Sequence, residues 1–181
     1  DSGYIIAYSR EDETDVYVHQ YNSDTDTWDQ LGSTITTPNG TNVQYSYLAW
    51  QRKRLFIACT DNVYVFKYYE INNDWGLEST IEISGTTINS IVASKSGSTI
   101  LFFDSNYDIS YTDNGVGWYM VEVDGIWEYR AKISSDNDKA FQGSNDYHYI
   151  GTNIDISDDG KIISVGSQGA DENGTAVSYT H

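Results

Sequence analysis

Val16-Tyr17-Val18, with Tyr21 and Trp28 after it, is the stretch of sequence that decides the fold. The same residue types recur 47 positions later within 63–75, ending at Trp75, and Trp127 marks a third unit 52 residues further on. Self-similarity at such a period is typical of repeat folds, in which each unit is one supersecondary motif. We therefore expect Trp28, Trp75 and Trp127 to form the core of the repeat.

A second recurring pair of segments lies upstream of these tryptophans. Residues 90–102 resemble residues 153–165, and both segments consist of a β-rich run, a turn containing Gly and a second β-rich run. The looser version at 44–60 has Arg52-Lys53-Arg54 at the turn. Runs rich in Val, Ile, Tyr, Phe and Thr are typical of strands, and helical signals are nearly absent. One unit therefore has four strands in about 45 to 60 residues, which suits a β-propeller blade.

Four units follow from this pattern. We expect a partial blade at 1–36, full blades at 37–84 and 85–133, and a polar insertion with a partial blade at 134–181. The first unit lacks its opening strand, and the last ends before a Trp strand. The predicted fold class is all-β, with propeller-type repeats of four-stranded antiparallel blades. We expect a segment of a larger propeller; a closed four-bladed ring is the alternative.

Composition narrows the classes of partner. The 181 residues include 27 acidic and 10 basic ones, for a formal net charge of -17. Such a charge disfavours nucleic acids and anionic membranes because phosphates are repelled, and no apolar run is long enough for a membrane span. Cys59 is the single cysteine, which excludes an internal disulfide. Its apolar surroundings predict a buried core residue.

The segment 111–118 resembles the Asp-box of sialidases and many other secreted propellers. The match covers Asp113, Gly115 and Trp118, whereas Tyr111 and Gly117 replace hydroxyl residues of the pattern. The box is structural in those families, so the resemblance implies a staple between hairpin strands.

Two further motifs carry a looser resemblance. Trp-Asp-Gln-Leu-Gly at 28–32 and Ser-Asp-Asp-Gly at 157–160 are similar to repeats of secreted and large-virus surface proteins, some of them related to integrin-type propellers. This resemblance implies an extracellular or virion-surface location.

Alternating oxygen ligands suggest one candidate metal site. Asn22, Asp24 and Asp26 have the spacing that Ca²⁺ favours, but the Gly and later Asp of an integrin-type loop are missing. A solvated acidic turn is the alternative, and we expect no other cofactor. The Asn-Gly-Thr tripeptides at Asn39 and Asn173 are candidate glycosylation sites.

The basic cluster at 52–54 has two interpretations. It is either a charged hairpin turn that faces solvent or a contact for an acidic neighbour, such as a second copy of this chain.

These observations predict a non-catalytic structural or binding module that contacts a protein or glycan through blade loops. Trp50, Tyr69, Tyr107 and Tyr147 are the candidate binding residues. A sialidase-like enzyme is one alternative, although the chain lacks an arginine cluster and its three histidines form no catalytic or metal spacing. A capsid or fibre component, with self-assembly or capsid neighbours as partners, is the other.

Overall fold

The computed structural model describes residues 4–10, 13–107, 115–134, 150–167 and 176–180. They form antiparallel strands joined by turns, with short 3₁₀ turns at Pro38–Gly40 and Trp50–Arg52. The strands are β1 (Ile5–Ser9), β2 (Asp15–Asn22), β3 (Thr27–Gln30), β4 (Ile35–Thr36), β5 (Tyr45–Ala49), β6 (Arg54–Tyr69), β7 (Asp74–Thr87), β8 (Ser90–Ala93), β9 (Thr99–Asp104), β10 (Val116–Val123), β11 (Ile126–Ser134), β12 (Ile150–Ile156), β13 (Ile162–Ser167) and β14 (Ala176–Thr180).

Each sheet is built from strands that are consecutive in the sequence, and we call each such sheet a blade. Blade 1 contains β1–β4, blade 2 contains β5–β7, blade 3 contains β8–β11 and blade 4 contains β12–β14. Neighbouring strands within a blade are antiparallel. The predicted all-β class with antiparallel sheets is confirmed.

Strand β6 supplies two strands of blade 2 because it folds back on itself. The N–H of Tyr68 donates to the carbonyl of Lys53 (2.9 Å), which places the two ends of β6 side by side. Asp61 lies at the reversal with φ of 64°, in the left-handed region that short polar side chains tolerate. Its Oδ1 accepts hydrogen bonds from the N–H groups of Gly85 (2.6 Å) and Thr86 (3.1 Å). Blade 2 therefore has the four-stranded layout predicted from the repeat.

The blades pack face to face, so the middle strands are buried on both faces. In β9, Ile100 and Phe102 pack with residues of blade 2, whereas Leu101 and Phe103 pack with residues of blade 4. This two-sided burial explains why the strand is an unbroken apolar run rather than an alternating one. Cys59 is fully buried in the cluster between blades 1 and 2, as predicted, and burial raises the pKa of its thiol.

Two of the repeated tryptophans bridge neighbouring blades. The indole N–H of Trp75 donates to the carbonyl of Leu31 in blade 1 (2.8 Å), and that of Trp127 donates to Oγ of Ser79 in blade 2 (3.1 Å). Trp28, like Trp75, packs against a Tyr ring of its own sheet; the ring centroids are 5.5 Å apart for Trp28 and 5.3 Å apart for Trp75. The Trp28 side chain is nevertheless 44% exposed. No acceptor for its indole N–H lies among the residues that the structure describes.

Arg54 is buried between blades 2 and 3, so the solvent-facing interpretation of 52–54 is wrong for this residue. Its relative exposure is only 4%. The guanidinium donates to both carboxylate oxygens of Glu122 in blade 3 (2.5 and 2.7 Å) and to the carbonyl of Gly97 (3.0 Å). Its Nε lies 2.6 Å from the carboxylate of Glu78. A tight turn between apolar sheets thus carries a cation that two carboxylates neutralise.

The pKa values of this cluster follow from the pairing. Burial alone would lower the pKa of Arg54, but contacts with Glu122 and Glu78 raise it above its ordinary value. The hydrogen bond from Arg54 holds the pKa of Glu122 below its usual range, against the effect of burial. A carboxyl with a lowered pKa stabilises the fold above its unfolded pKa, and this contribution is lost as pH falls through the lowered value. The contact between blades 2 and 3 is therefore expected to weaken in acid.

Replacement of Arg54 by Met should lower the free energy of unfolding by about 3–5 kcal/mol, because Glu78 and Glu122 are then left without their shared cation. Urea unfolding at neutral pH measures the loss. Arg10→Met is the control: Arg10 pairs with Glu13 at 3.6 Å with a 73% exposed side chain, and this change should cost less than about 1 kcal/mol. Equal losses in the two variants would contradict the buried role of Arg54.

Candidate functional site

Three tight turns follow the inner strands β5, β8 and β12 and lie at one edge of the array. Each turn has a residue with positive φ in its fourth position: Lys53 (54°), Gly97 (66°) and Gly160 (77°). The N–H of that residue donates to the carbonyl three positions earlier, at 2.8 to 2.9 Å. Repetition of one turn type in three blades brings equivalent positions together.

A cleft of about 530 Å³ opens between these turns. Its walls come from the ends of β5, β8 and β12 and from the turns that follow them. Tyr47 and Trp50 contribute from blade 2, Lys95 from blade 3, and Asp155 and Asp158 from blade 4. The cleft thus brings a phenol, an ammonium group and two carboxylates into one space.

A polar link holds the turns of blades 3 and 4 together at the cleft. The N–H of Lys95 donates to the carbonyl of Asp158 (3.2 Å), and the Lys95 ammonium lies 3.6 Å from the Asp158 carboxylate. Oδ1 of Asp155 accepts the N–H of Ile156 (2.8 Å). Within the described part of the chain, no cation lies within ion-pair distance of Asp155. Asp155 therefore differs from Asp158, whose carboxylate is paired with Lys95.

Tyr47 is half-buried beside the two carboxylates. Burial raises the pKa of its phenol, and the negative charges of Asp155 and Asp158 raise it further. The hydroxyl therefore stays protonated at neutral pH and can donate a hydrogen bond. An arrangement of one free carboxylate, one phenol and one ammonium can take a proton from water and stabilise an oxyanion.

The predicted metal ligands form hydrogen bonds with neighbouring residues in and beside the β2–β3 turn. The Asn22 amide donates to Asp29 (3.0 Å) and its Oδ1 accepts the N–H of Asp24 (3.1 Å), whereas Asp26 accepts the Tyr21 hydroxyl (2.6 Å). No group of three or more His, Cys, Asp or Glu side chains suited to a metal occurs in the described ranges. Calcium binding at this turn stays a prediction.

Of the predicted binding residues, Trp50 lines the cleft. Its ring lies 6.2 Å from the Tyr68 ring and 5.7 Å from the Lys53 ammonium. Tyr69 is exposed on blade 2, and Tyr107 meets the Trp118 ring edge-on. Neither of them lines the cleft. Tyr147 lies outside the described residues, and a binding role for all four stays a prediction.

The Asp-box residues are described only in part. Asp113 lies outside the described residues. Gly115 has φ of 79°, and a Cβ there would lie 2.4 Å from the carbonyl oxygen of Ile150, so this position requires glycine. Trp118 stacks on Phe102 at 5.6 Å. The Asp-box assignment stays a prediction.

The two candidate glycosylation sites also remain predictions. Asn39 is exposed in the 3₁₀ turn that contains Pro38. Asn173 lies outside the described residues.

Comparison with solved structures shows the fold. Matches include the periplasmic gluconolactonase of Pseudomonas aeruginosa (15% identity, TM-score 0.61, covering 97% of this chain and 49% of that one). A candidate 6-phosphogluconolactonase of Bacteroides fragilis also matches (12%, 0.58, 96% and 52%), as does the Swd1 β-propeller domain of Myceliophteria thermophila (8%, 0.60, 99% and 56%). No protein-family model and no curated protein matches the chain.

These matches confirm the predicted propeller fold, and the chain spans about half the length of each propeller. They give no support to the finer resemblance to sialidases. The prediction of a non-catalytic structural or binding module is contradicted, because gluconolactonase-like enzymes are among the matching propellers. The prediction that the chain is not an enzyme is contradicted by the same matches.

The predicted location and partners are not settled by these comparisons. No helix in the described part of the chain is both long and apolar enough to span a membrane. The extracellular location and the protein or glycan partners stay predictions.

Sequence reasoning missed Tyr47, Lys95, Asp155 and Asp158. The signal was nonetheless present in the repeat, since 90–102 and 153–165 align and put Lys95 and Asp158 at the same position of the turn. Equivalent positions of adjacent blades meet around the axis of a propeller.

Proposed function

We propose that this chain forms part of a propeller lactonase, which hydrolyses a sugar lactone at the cleft between the turns of blades 2, 3 and 4. The observation that carries the proposal is the convergence of Asp155, Tyr47 and Lys95 in that cleft. The likeness to gluconolactonase propellers supports this reaction class over other hydrolyses.

The roles of the residues follow from their charges. Asp155 accepts a proton from a water molecule while the water oxygen attacks the lactone carbonyl carbon. Negative charge then develops on the former carbonyl oxygen, where the Tyr47 hydroxyl and the Lys95 ammonium stabilise it. The ring C–O bond breaks as the carbonyl re-forms, and the proton held by Asp155 passes to the leaving oxygen. Lactone and water thus give the hydroxy acid.

Asp155→Asn removes the proton acceptor and keeps the side-chain shape. It should lower kcat/KM for glucono-δ-lactone by about 10² or more, a typical contribution of a general base. Acid release followed in a pH-stat, corrected for spontaneous hydrolysis, measures the effect. Asp124→Asn is the matched control, because Asp124 is exposed in the β10–β11 turn and does not line the cleft. A wild-type rate equal to the spontaneous rate, or equal rates for both variants, would refute the proposal.

The charge of the site favours a neutral lactone over a phosphorylated one. Asp155 and Asp158 outnumber Lys95, which is already paired with Asp158, and the chain carries a formal net charge of -17. A phosphate group would be repelled by this field, and the repulsion is screened by salt.

We therefore expect a lower kcat/KM for 6-phosphogluconolactone than for gluconolactone at low ionic strength. The difference should shrink when salt is raised to about 0.5 M, where the Debye length is only a few ångströms. Parallel assays of both substrates at the two salt concentrations test this. A preference for the phosphorylated lactone that is independent of salt would be the contrary result.

A further inference from the structure

The tight turn after β5 differs at its first position from the equivalent turns of blades 3 and 4. That position is Ser94 in blade 3 and Ser157 in blade 4, but Trp50 in blade 2. Each serine hydroxyl accepts the N–H of the residue five positions later, from Thr99 (3.2 Å) and from Ile162 (2.9 Å), and so closes its turn. An indole has no acceptor for such a bond. Blade 2 therefore lacks a structural hydrogen bond at this position and has a large aromatic side chain instead.

The fourth position of the same turn differs as well. It is Gly97 in blade 3 and Gly160 in blade 4, but Lys53 in blade 2, where φ is 54°. A residue with a long side chain is strained in the left-handed region, and such strain is found where the side chain has a role. The Lys53 ammonium lies over the Trp50 ring, 5.7 Å from its centre, in a cation–π contact that glycine cannot make. The two departures from the repeat thus form one arrangement of two contacting side chains.

Trp50 is held in place by residues outside the cleft. The Tyr68 ring lies 6.2 Å from the Trp50 ring at an angle of 41°. The Lys53 ammonium also pairs with Glu70 in the β6–β7 turn. Trp50 lines the cleft, whereas Tyr68 and Lys53 do not. Their contacts therefore fix the indole and leave another part of it bordering the cleft.

The cleft wall around Trp50 combines a large aromatic surface with several hydrogen-bonding groups. Gln51 and Ser157 line the same space as Asp155. A polyhydroxylated ring suits such a wall, because its C–H groups pack on an aromatic side chain while its hydroxyls need hydrogen-bond partners. A wholly apolar ligand would leave these polar groups without partners.

We propose that Trp50 is the residue that binds the sugar ring of the substrate, with its indole packed against the C–H groups of the lactone ring. This role rests on the proposed function, which makes a sugar lactone the ligand of the cleft. Trp50 takes no part in proton transfer. Its contact is the same in the ground state and in the transition state, so it lowers KM and leaves kcat unchanged.

Trp50→Ser tests the role of the indole, because it introduces the residue that the turns of blades 3 and 4 already have. We expect KM for glucono-δ-lactone to rise about tenfold while kcat stays within about twofold of wild type. Affinity for glucono-δ-lactam, an analogue that is not hydrolysed, should fall about tenfold in isothermal titration calorimetry. Trp50→Phe retains an aromatic ring and should retain most of the affinity.

Trp28→Ser is the matched control, because Trp28 is 44% exposed and does not line the cleft. It should leave KM and lactam affinity at their wild-type values. Circular dichroism and urea unfolding establish that each variant is folded, and Trp50→Leu takes the place of Trp50→Ser if the latter is not.

Lys53→Gly separates binding from stability. Glycine removes the strain of a positive φ, so the urea midpoint should not fall. KM and the lactam Kd should nevertheless rise about threefold, because the indole loses its cation–π contact. A purely structural role of Lys53 would not weaken binding without loss of stability. Unchanged KM and Kd in Lys53→Gly would contradict the positioning role of this residue.

Hydrolysis and lactam binding are measured separately, so that the role of Trp50 and the proposed function can fail independently. If the wild type hydrolyses the lactone and Trp50→Ser has unchanged KM and lactam affinity, the role of Trp50 is overturned and the lactonase proposal stands. If the wild type binds the lactam without hydrolysing the lactone, and Trp50→Ser weakens binding, the lactonase proposal fails and Trp50 remains a sugar-binding residue. A wild-type chain that neither binds nor hydrolyses would overturn both.

Discussion

Burial of a sheet on both of its faces is the constraint on which the structure depends. A strand such as β9 places apolar side chains on either side, so blade 3 can be stable only between blades 2 and 4. The tryptophans make this packing directional. Trp75 and Trp127 each donate an indole N–H backward to the preceding blade, which satisfies a polar group at an apolar contact.

The Arg54 cluster connects this packing to the candidate site. The Arg54 guanidinium contacts Glu122 and also donates to the carbonyl of Gly97, the residue that closes the turn after β8. Lys95 lies in the same turn and lines the cleft. A buried cation is costly unless it is fully paired. Because Arg54 is paired with Glu122 and Glu78, a contact between blades 2 and 3 also supports the turn that presents Lys95.

The repeat allowed much of the fold to be predicted, and little of the site. Spacing of Trp28 and Trp75 indicated the blades, because a repeated structural unit has the same residue types at the same positions in each copy. Burial of Arg54 could not be predicted from the repeat, since three basic residues at a tight turn are also typical of a solvated hairpin. Its partner Glu122 is remote in the sequence. Trp50 and Tyr107 were selected for their large aromatic surfaces. The cleft instead depends on where three turns converge, which is a property of tertiary structure.

A repeat fold can build a polar site by changing one position in successive copies of the same turn. Lys95 and Asp158 occupy equivalent positions after β8 and β12, and the change from a cation to an anion allows adjacent turns to pair. The paired lysine holds Asp158 and leaves Asp155 as the carboxylate without a cation in the described part of the cleft. Chemical asymmetry therefore arises on a nearly symmetric scaffold without a change of backbone. The same reasoning explains why fold likeness to other propellers does not carry their residues across, since each repeat array varies these turn positions independently.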